Sequence, residues 1–425
     1  MNFAALPNLL ALAVLVGVFR AISRKDASQQ IQLWLLGWIL VLVHFAATLP
    51  VPTDEFWSRF ATGMAVGALI LASVTFLISV VAVAYTRSRQ VGLALTISVP
   101  ALAYACGAIW GVDDPKFYYL LIAVGTLGPL FLIWRYHRKD RLYAAGMMLV
   151  SLLMAAVIAR EVATGNPGLG IVSILAALNF AAGVLYWKQH RRSTAGVLTA
   201  VGGFVLWGAV FPTAVLLLLF RPAVKVDSEV WNIPKYLVAV GMILTLLEDQ
   251  INKSRYLAYH DDLTGLPNRR LLEDRLDQAL AQAKRIGGKV AVFVVDLDHF
   301  KEVNDNFGHR VGDVALQQVA VRLGNRLRAS DTLARSGGDE FTVVSQVSGE
   351  PASLALLTAL ESALSDPLVI EDKEVLTGLS IGLALYPDDG SDADQLCAAA
   401  DRGMYASKRL GRNPGVNVTI RHLTT

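Results

Sequence analysis

Apolar positions fall into two regimes along the chain. Up to about residue 250 they form long unbroken runs separated by short polar breaks; beyond it they recur at the spacings of half-buried strands and amphipathic helices. A helix needs roughly 20 apolar residues to cross the hydrocarbon core of a bilayer. Nine segments approach that length: 5–19, 31–49, 60–85, 91–112, 117–134, 142–159, 169–187, 195–220 and 233–247. The count becomes eight if 5–19 is too short to span. The first run has no small-residue cleavage site and is followed by Arg20, Arg24 and Lys25, so it reads as a retained span and not a cleaved leader.

The breaks between runs alternate in charge. Arg20/Arg24/Lys25, Arg87/Arg89, Arg135/Arg138/Lys139/Arg141 and Lys188/Arg191/Arg192 occupy alternate loops, while Asp54/Glu55, Asp113/Asp114 and Asp227/Glu229 occupy the others. Basic loops stay in the cytoplasm. Nine spans then put the N-terminus outside and everything after residue 247 inside.

The second regime reads as an α/β domain. Asn268 is placed to cap a helix through about Arg285, which Gly287-Gly288 ends. A β-branched run, 290–295, predicts a buried central strand that terminates in Asp296-Leu297-Asp298. Gly312-Asp313 starts an amphipathic helix carrying Ala315, Leu316, Val319, Leu323 and Leu327. Two short apolar runs, 332–334 and 341–344, flank Arg335-Ser336-Gly337-Gly338-Asp339-Glu340 and predict a hairpin. A helix over 353–364, a strand over 375–385, a helix over 393–409 and a short strand near 416–420 complete the pattern.

Composition sharpens the first regime and removes some chemistry from the second. At 54% hydrophobic, 17% charged and a mean hydropathy of +0.48, the chain is too apolar for a soluble protein of 425 residues. A net charge of only +3 gives no basic face that calls for nucleic acid. Cys106 and Cys397 alone exclude a disulfide framework or a cysteine zinc site. Within the spans, His44 and Asn179 are the polar residues that invite a function, His44 as a haem ligand or proton sensor; the bland alternative for His44 is a hydrogen bond to a neighbour. Gly63 and Gly67 form a small-residue pair of a kind common in membrane helices.

The glycine turn carries the candidate chemistry. Two glycines let backbone amides approach a phosphate, and the two acids that follow put negative charge where a divalent cation can sit. Such a turn alone is also an ordinary hairpin loop, so its neighbours decide. They are Asp-Leu-Thr-Gly-Leu-Pro-Asn-Arg from Asp262, Asp-Leu-Asp-His-Phe-Lys-Glu-Val-Asn-Asp from Asp296, Phe307-Gly308-His309, Gly312-Asp313-Val314-Ala315-Leu316 and Ala-Asp-Arg-Gly-Met-Tyr-Ala-Ser-Lys-Arg-Leu-Gly-Arg-Asn from Ala400. With Gly-Gly-Asp-Glu-Phe intact, residues 261–413 resemble a GGDEF domain, the catalytic module of diguanylate cyclases.

That resemblance implies an α/β fold with a central, mostly antiparallel sheet flanked by helices, like that of nucleotidyl cyclases, following a multi-pass α-helical membrane domain. It implies condensation of two GTP molecules into cyclic di-GMP by a homodimer, with Mg²⁺ (or Mn²⁺) held by Asp296, Asp339 and the Leu297 carbonyl. Glu340 is the matching residue for deprotonating the 3′-hydroxyl, with Asp339 or the metal itself as alternatives. Asn304 and Asp313 match guanine-reading positions, His309 belongs to the same pocket or to a structural hydrogen bond, and Phe300, Lys301 and Gly338 offer backbone to the phosphates. Lys408 and Arg412, four apart on one helix face, would neutralise those phosphates. Arg328, Asp331 and Arg335 match the family's inhibitory site for cyclic di-GMP; a salt bridge at a helix end is the alternative.

The expected organisation is therefore a transmembrane sensory domain over 1–247, a helical connector over 248–260 and a catalytic domain over 261–425. In the connector, Leu244, Leu247, Ile251 and Ala258 are spaced to form a short seam with a second copy, or else to lie along a solvated spacer. No stretch remains for a phosphodiesterase domain of the EAL type. The expected location is a bacterial inner membrane with the catalytic part in the cytoplasm. The competing reading is a catalytically inactive receptor for a nucleotide or cyclic di-GMP that signals through protein contacts.

Overall fold

A computed structural model of the chain describes residues 6–26, 28–82, 85–136, 141–220, 228–370, 373–375, 377–410 and 421–422. The chain divides into two compact units, Met1–Asp249 and Gln250–Thr425.

Among the described residues the first unit is helical throughout, as runs with no polar ladder of their own require. Its helices are α1 (Leu6–Lys25), α2 (Gln29–Ala47), α3 (Glu55–Val81), α4 (Arg87–Trp110), α5 (Pro115–Tyr136), α6 (Arg141–Ala163), α7 (Pro167–His190), α8 (Ala195–Phe220) and α9 (Ser228–Tyr259). Eight of them contain a stretch long and apolar enough to cross a membrane by length and composition, α1 included. The ninth, α5, has 22 residues, which at 1.5 Å per residue reaches about 33 Å. Helix starts follow local chemistry: Asp54 accepts the Trp57 amide at 3.2 Å and so caps α3.

The interior of this unit is aromatic, with Phe19, Trp34, Trp38, Phe76, Phe204 and Trp207 almost fully buried. The two polar residues singled out in the spans are both tied to helix backbone. His44 Nδ1 lies 2.8 Å from the Ala65 carbonyl oxygen; a carbonyl only accepts, so this nitrogen carries the proton. Asn179 donates through Nδ2 to the Leu175 carbonyl at 2.9 Å and to Ser73 Oγ at 3.3 Å. The last span and the connector are one helix, because nothing between residues 234 and 259 breaks the ladder of α9.

In the second unit, α10 (Arg269–Ile286) starts where Asn268 accepts the Leu271 amide at 3.2 Å and stops at Gly287, which has φ of 67°. Then come β1 (Lys289–Leu297), α11 (Phe300–Phe307), α12 (His309–Gly324), β2 (Thr332–Arg335), β3 (Glu340–Val347), α13 (Glu350–Glu361), β4 (Leu368–Ile370), β5 (Lys373–Val375), β6 (Leu379–Tyr386), α14 (Ala393–Leu410) and β7 (Arg421–His422). The main sheet has the order β2-β3-β1-β6 with every neighbour antiparallel. A smaller sheet, β4-β5-β7, lies apart in pairing.

Strand β1 is central and buried along nearly its whole length, so both faces are covered. Odd positions Ala291, Phe293, Val295 and Leu297 share one core with Val311, Leu316 and Val319 of α12. Even positions Val290, Val292 and Val294 share another with Leu272 and Leu276 of α10 and Leu396, Ala400 and Met404 of α14. Four boundaries differ from the sequence pattern. The segment 300–307 is helical; α12 begins at His309 and not at Gly312; the helix expected over 353–364 is α13, which runs from 350 to 361; and the strand expected over 375–385 is β6, preceded by the β4–β5 hairpin. Short strands of three residues give too little alternation to be read from sequence. The strand expected near 416–420 lies outside the described residues.

Candidate active site

The site forms where β1 and β3 run out together. Their antiparallel register sets Asp296 directly opposite Glu340. By the two-residue period of strands, Asp296 continues the face of Val290, Val292 and Val294, and Glu340 that of Thr342 and Val344. Both carboxylates thus stand on the same side of the sheet, the side that α14 covers. Asp339 is one residue further along: its carbonyl accepts the Leu297 amide at 3.3 Å, which extends the ladder into the turn and ties the two acid-bearing segments together.

Helix α14 supplies the cation. Lys408 Nζ lies 2.6 Å from Asp296 Oδ1, in a side chain about one-third exposed against a carboxylate that is 8% exposed. Gly382 of β6 allows this approach, since a Cβ there would collide with the Ala400 carbonyl and the Met404 amide of α14. Asp298, the next even position, is held by Ser380 Oγ at 2.6 Å and carries on the acidic edge.

Like charges this close disfavour ionisation. Burial, then Asp339 and Asp298, push the Asp296 carboxyl above its ordinary range against the pull of Lys408. Burial, then Asp296, Asp339 and Asp401, raise Glu340 as well, again opposed by Lys408. Lys408 is itself raised: burial works against its charge, but the hydrogen bond and attraction from Asp296 outweigh it. Among the described residues no three His, Cys, Asp or Glu side chains form a complete metal cage. Carboxylate oxygens are hard donors of the kind that Mg²⁺ takes together with waters and substrate phosphates.

The glycine turn is positioned by a part of the chain to which the sequence pattern assigned no role. Arg335 grips Asp261 with one guanidinium nitrogen, at 3.0 Å from Oδ1 and 3.1 Å from Oδ2, and donates to the Gly338 carbonyl through Nε at 3.1 Å and its other terminal nitrogen at 2.6 Å. Asp261 also accepts from the Thr264 amide and hydroxyl at 2.8 and 2.7 Å. Burial works to raise the Asp261 carboxyl, but the Thr264 hydrogen bonds and the Arg335 guanidinium together hold it below the ordinary carboxylate range. A cleft of about 570 Å³ lies against this clasp, lined by Asn268, Arg269, Arg270, Arg335, Gly337 and Gly338 among others. Neither glycine of the turn lies in the left-handed region. Only Gly337 is closely approached: a Cβ there would press on Glu340 Oε2 at 3.0 Å, whereas one on Gly338 would meet nothing and leaves that backbone open.

The remaining assigned residues sit on α11, α12 and the loop after it. Phe300 and Lys301 open α11, where the first amides of a helix have no intrahelical acceptor. Asn304 packs onto Gly312, whose missing Cβ leaves room for the amide oxygen; Asp313 and His309 are exposed on the same first turns of α12. Asp331 is used locally, accepting the Arg328 amide at 2.9 Å and Ser345 Oγ at 2.8 Å, while Arg328 is exposed. The structure brings Arg328 and Asp331 together but commits Arg335 to the clasp. Arg412 lies outside the described residues.

Residues 258–414 match the model of the family described as the diguanylate cyclase GGDEF domain. The chain is 33% identical over 373 residues to the bifunctional diguanylate cyclase/cyclic di-GMP phosphodiesterase MucR of Pseudomonas aeruginosa, a match over 87% of this chain and 48% of that protein. It is 39% identical over 168 residues to the diguanylate cyclase TpbB of the same species, covering 39% of each. The chain thus spans half or less of the length of these curated relatives. Among solved structures, the GGDEF domain of TpbB is 39% identical, with a TM-score of 0.34 over 35% of this chain and 93% of that one. The coiled coil and GGDEF domain of DgcB from Caulobacter crescentus, in complex with c-di-GMP, is 28% identical, with a TM-score of 0.39 over 43% and 96%.

Proposed function

Residues 258–414 are a GGDEF domain, and from that premise we propose that the chain is a membrane-bound diguanylate cyclase that condenses two GTP into cyclic di-GMP. The observation that carries the proposal is the register pairing Asp296 with Glu340, with Asp339 tied to Leu297 beside them. Each 3′-oxygen attacks the α-phosphorus of the other nucleotide; a P–O bond forms, the bond to the β-phosphate breaks, and pyrophosphate leaves twice. Charge gathers on phosphoryl oxygens, so positioned cations and donors matter more than covalent chemistry. Asp296, Asp339 and the Leu297 carbonyl would hold Mg²⁺, or Mn²⁺ in its stead, and the ion when bound supplies positive charge to those oxygens.

The chain's own groups do the rest. Glu340, its pKa raised above the ordinary carboxylate range by burial and its acidic neighbours, takes the 3′-hydroxyl proton; Asp339 is the alternative base. The first amides of α11, at Phe300 and Lys301, and the open backbone at Gly338 receive phosphate oxygens. Lys408 and Arg412 balance the terminal phosphate charge. Asn304 and Asp313 accept the guanine N1–H and exocyclic N–H groups, which adenine does not offer in that pattern, and His309 borders them.

One domain holds half of the reaction, so the active species is a homodimer. The exposed Leu247 and Ile251 of α9, 52% and 51% accessible, are apolar surface on which two copies of that helix can pair. We assign product inhibition to Arg328 and Asp331, with Arg335 joining only on release from Asp261. The long helices of the first unit, with basic loops on one side, support lipid as the partner and a bacterial inner membrane as the location, with the catalytic unit cytoplasmic. The test is cyclic di-GMP formation from GTP and Mg²⁺ by the full chain in membranes. Product from wild type and none from Asp339→Ala is expected; an equally active Asp339→Ala overturns the assignment.

A further inference from the structure

Beside the glycine turn lies a basic cleft with a cation that the cyclase assignment leaves unused. Its lining brings Asn268, Arg269 and Arg270, at the start of α10, together with Arg335, Gly337 and Gly338 of the turn around a volume of about 570 Å³. That falls within the roughly 300–1,000 Å³ of small-molecule sites. Arg335 is committed to Asp261 and to the Gly338 carbonyl. Arg269 pairs with Glu273 at 3.0 Å on the open surface, where such a pair holds weakly. Arg270 is exposed, and among the described residues it has no hydrogen bond, ion pair or ring contact. Asp274, one turn further along α10, accepts from Gln278 at 2.8 Å instead.

The place of the cleft in the fold decides what it can meet. Helix α10 packs on the face of β1 that carries Val290, Val292 and Val294, whereas α11 and α12 pack on the face that carries Phe293 and Val295. Asn304 and Asp313, assigned to the chain's own guanine, stand on α11 and α12, and its own phosphates have the first amides of α11, Lys408 and Arg412. Arg270 lies on the α10 side of the turn and serves none of these. The reaction brings a second nucleotide to the same turn, since each 3′-oxygen must reach the α-phosphorus of the other GTP. A guanidinium without a partner suits that nucleotide, because its planar fork of donors matches phosphate oxygens and it never loses its charge.

We propose that Arg270 is a catalytic residue that acts in trans: it donates to the α-phosphate oxygens of the GTP held by the second copy of the chain. As the bond to the β-phosphate breaks, negative charge grows on the phosphoryl oxygens and on the departing pyrophosphate, and a guanidinium already in place lowers that barrier. The inference rests on the cyclase reading and on its homodimer.

The test uses the full chain in lipid nanodiscs with GTP and Mg²⁺. In discs holding two chains, wild type is expected to form cyclic di-GMP, Arg270→Met to form it about 100-fold more slowly, and Arg270→Lys, which keeps a charge, to fall between them. In discs holding one chain, wild type and Arg270→Met are expected to bind 3′-deoxyGTP with the same affinity, because Arg270 does not touch its own chain's nucleotide. Discs pairing one wild-type chain with one Arg270→Met chain are expected to accumulate the linear dinucleotide, since one of the two attacks keeps its arginine; a merely structural role would slow both bonds alike. A wild type that forms no cyclic di-GMP overturns the cyclase reading, and this inference with it. With an active wild type, an undiminished rate in Arg270→Met, weaker 3′-deoxyGTP binding by the single Arg270→Met chain, or mixed discs without linear dinucleotide would each overturn the inference alone.

Discussion

Single residues set the electrostatics of the nucleotide site, and two of them pull in opposite directions with pH. Asp261 is held as an anion by Thr264 and Arg335, so its folded-state pKa lies below the unfolded one. Its contribution is therefore complete above the unfolded pKa and is lost as pH falls through the folded one. In urea melts of the fragment 250–425, Arg335→Ala is expected to cost roughly 2 kcal/mol at neutral pH, the scale of a charge-assisted hydrogen-bond set. The difference from wild type should shrink as the solution is acidified below about pH 4; a difference independent of pH would contradict the clasp. Glu340 behaves in the other sense, with a folded pKa raised by burial and three acidic neighbours and held down by Lys408. Removing that cation in Lys408→Met should move the acid limb of kcat/KM to higher pH, and lower its plateau by about 100-fold or more. An unmoved limb would mean that Glu340 is not the titrating base.

Residue types at this site were legible in the sequence because the acids stand in short runs beside strand and turn signals. Their partners were not. The ion pairs Lys408–Asp296 and Arg335–Asp261 join positions 112 and 74 residues apart, a separation that neither spacing nor periodicity encodes.

At the scale of elements, the site depends on two close approaches that glycine permits. Helix α14 reaches β6 over Gly382, and that contact carries Lys408 to Asp296. Gly382→Ala should destabilise the fragment 250–425 by roughly 1–3 kcal/mol, the usual cost of overpacking. It should also lower turnover at saturating GTP, because a displaced α14 takes Lys408 with it; an unchanged melt with unchanged turnover would contradict the role given to this contact. Gly312 likewise leaves room on α12 for the Asn304 amide of α11. Gly312→Ala should raise the KM for GTP roughly tenfold, about the worth of one lost hydrogen bond, with a smaller effect on kcat. Initial-rate measurements over a range of GTP separate the two. Long elements were readable because their period repeats many times: the nine apolar runs correspond to α1 through α9, and 290–295 to the heart of β1. The β4–β5 hairpin and the exact start of α12 were not, since three-residue strands and a helix entered from Gly308 at φ of 82° leave no repeated pattern.

At the scale of the whole molecule the proposal joins a helical unit to a nucleotide site that needs a second copy. Specific activity in nanodiscs should therefore rise with the number of chains per disc, and chains held one per disc should form little product; equal activity at both occupancies would contradict the shared site. Arg328→Ala should relieve inhibition by added cyclic di-GMP while leaving the initial rate near that of wild type.

The central claim is that acids from two chain segments, brought together by the β1–β3 register, hold one ion beside GTP. A double-variant cycle on cyclic di-GMP formation by the full chain in Mg²⁺ addresses it most directly, using Asp296→Asn, Asp339→Asn and both together. If the two share an ion, each single change lowers the rate by about 1,000-fold or more and the pair is no slower than the worse single, because a ligand set already broken cannot be broken again. Losses that multiply, or a single variant that keeps its rate, would contradict it.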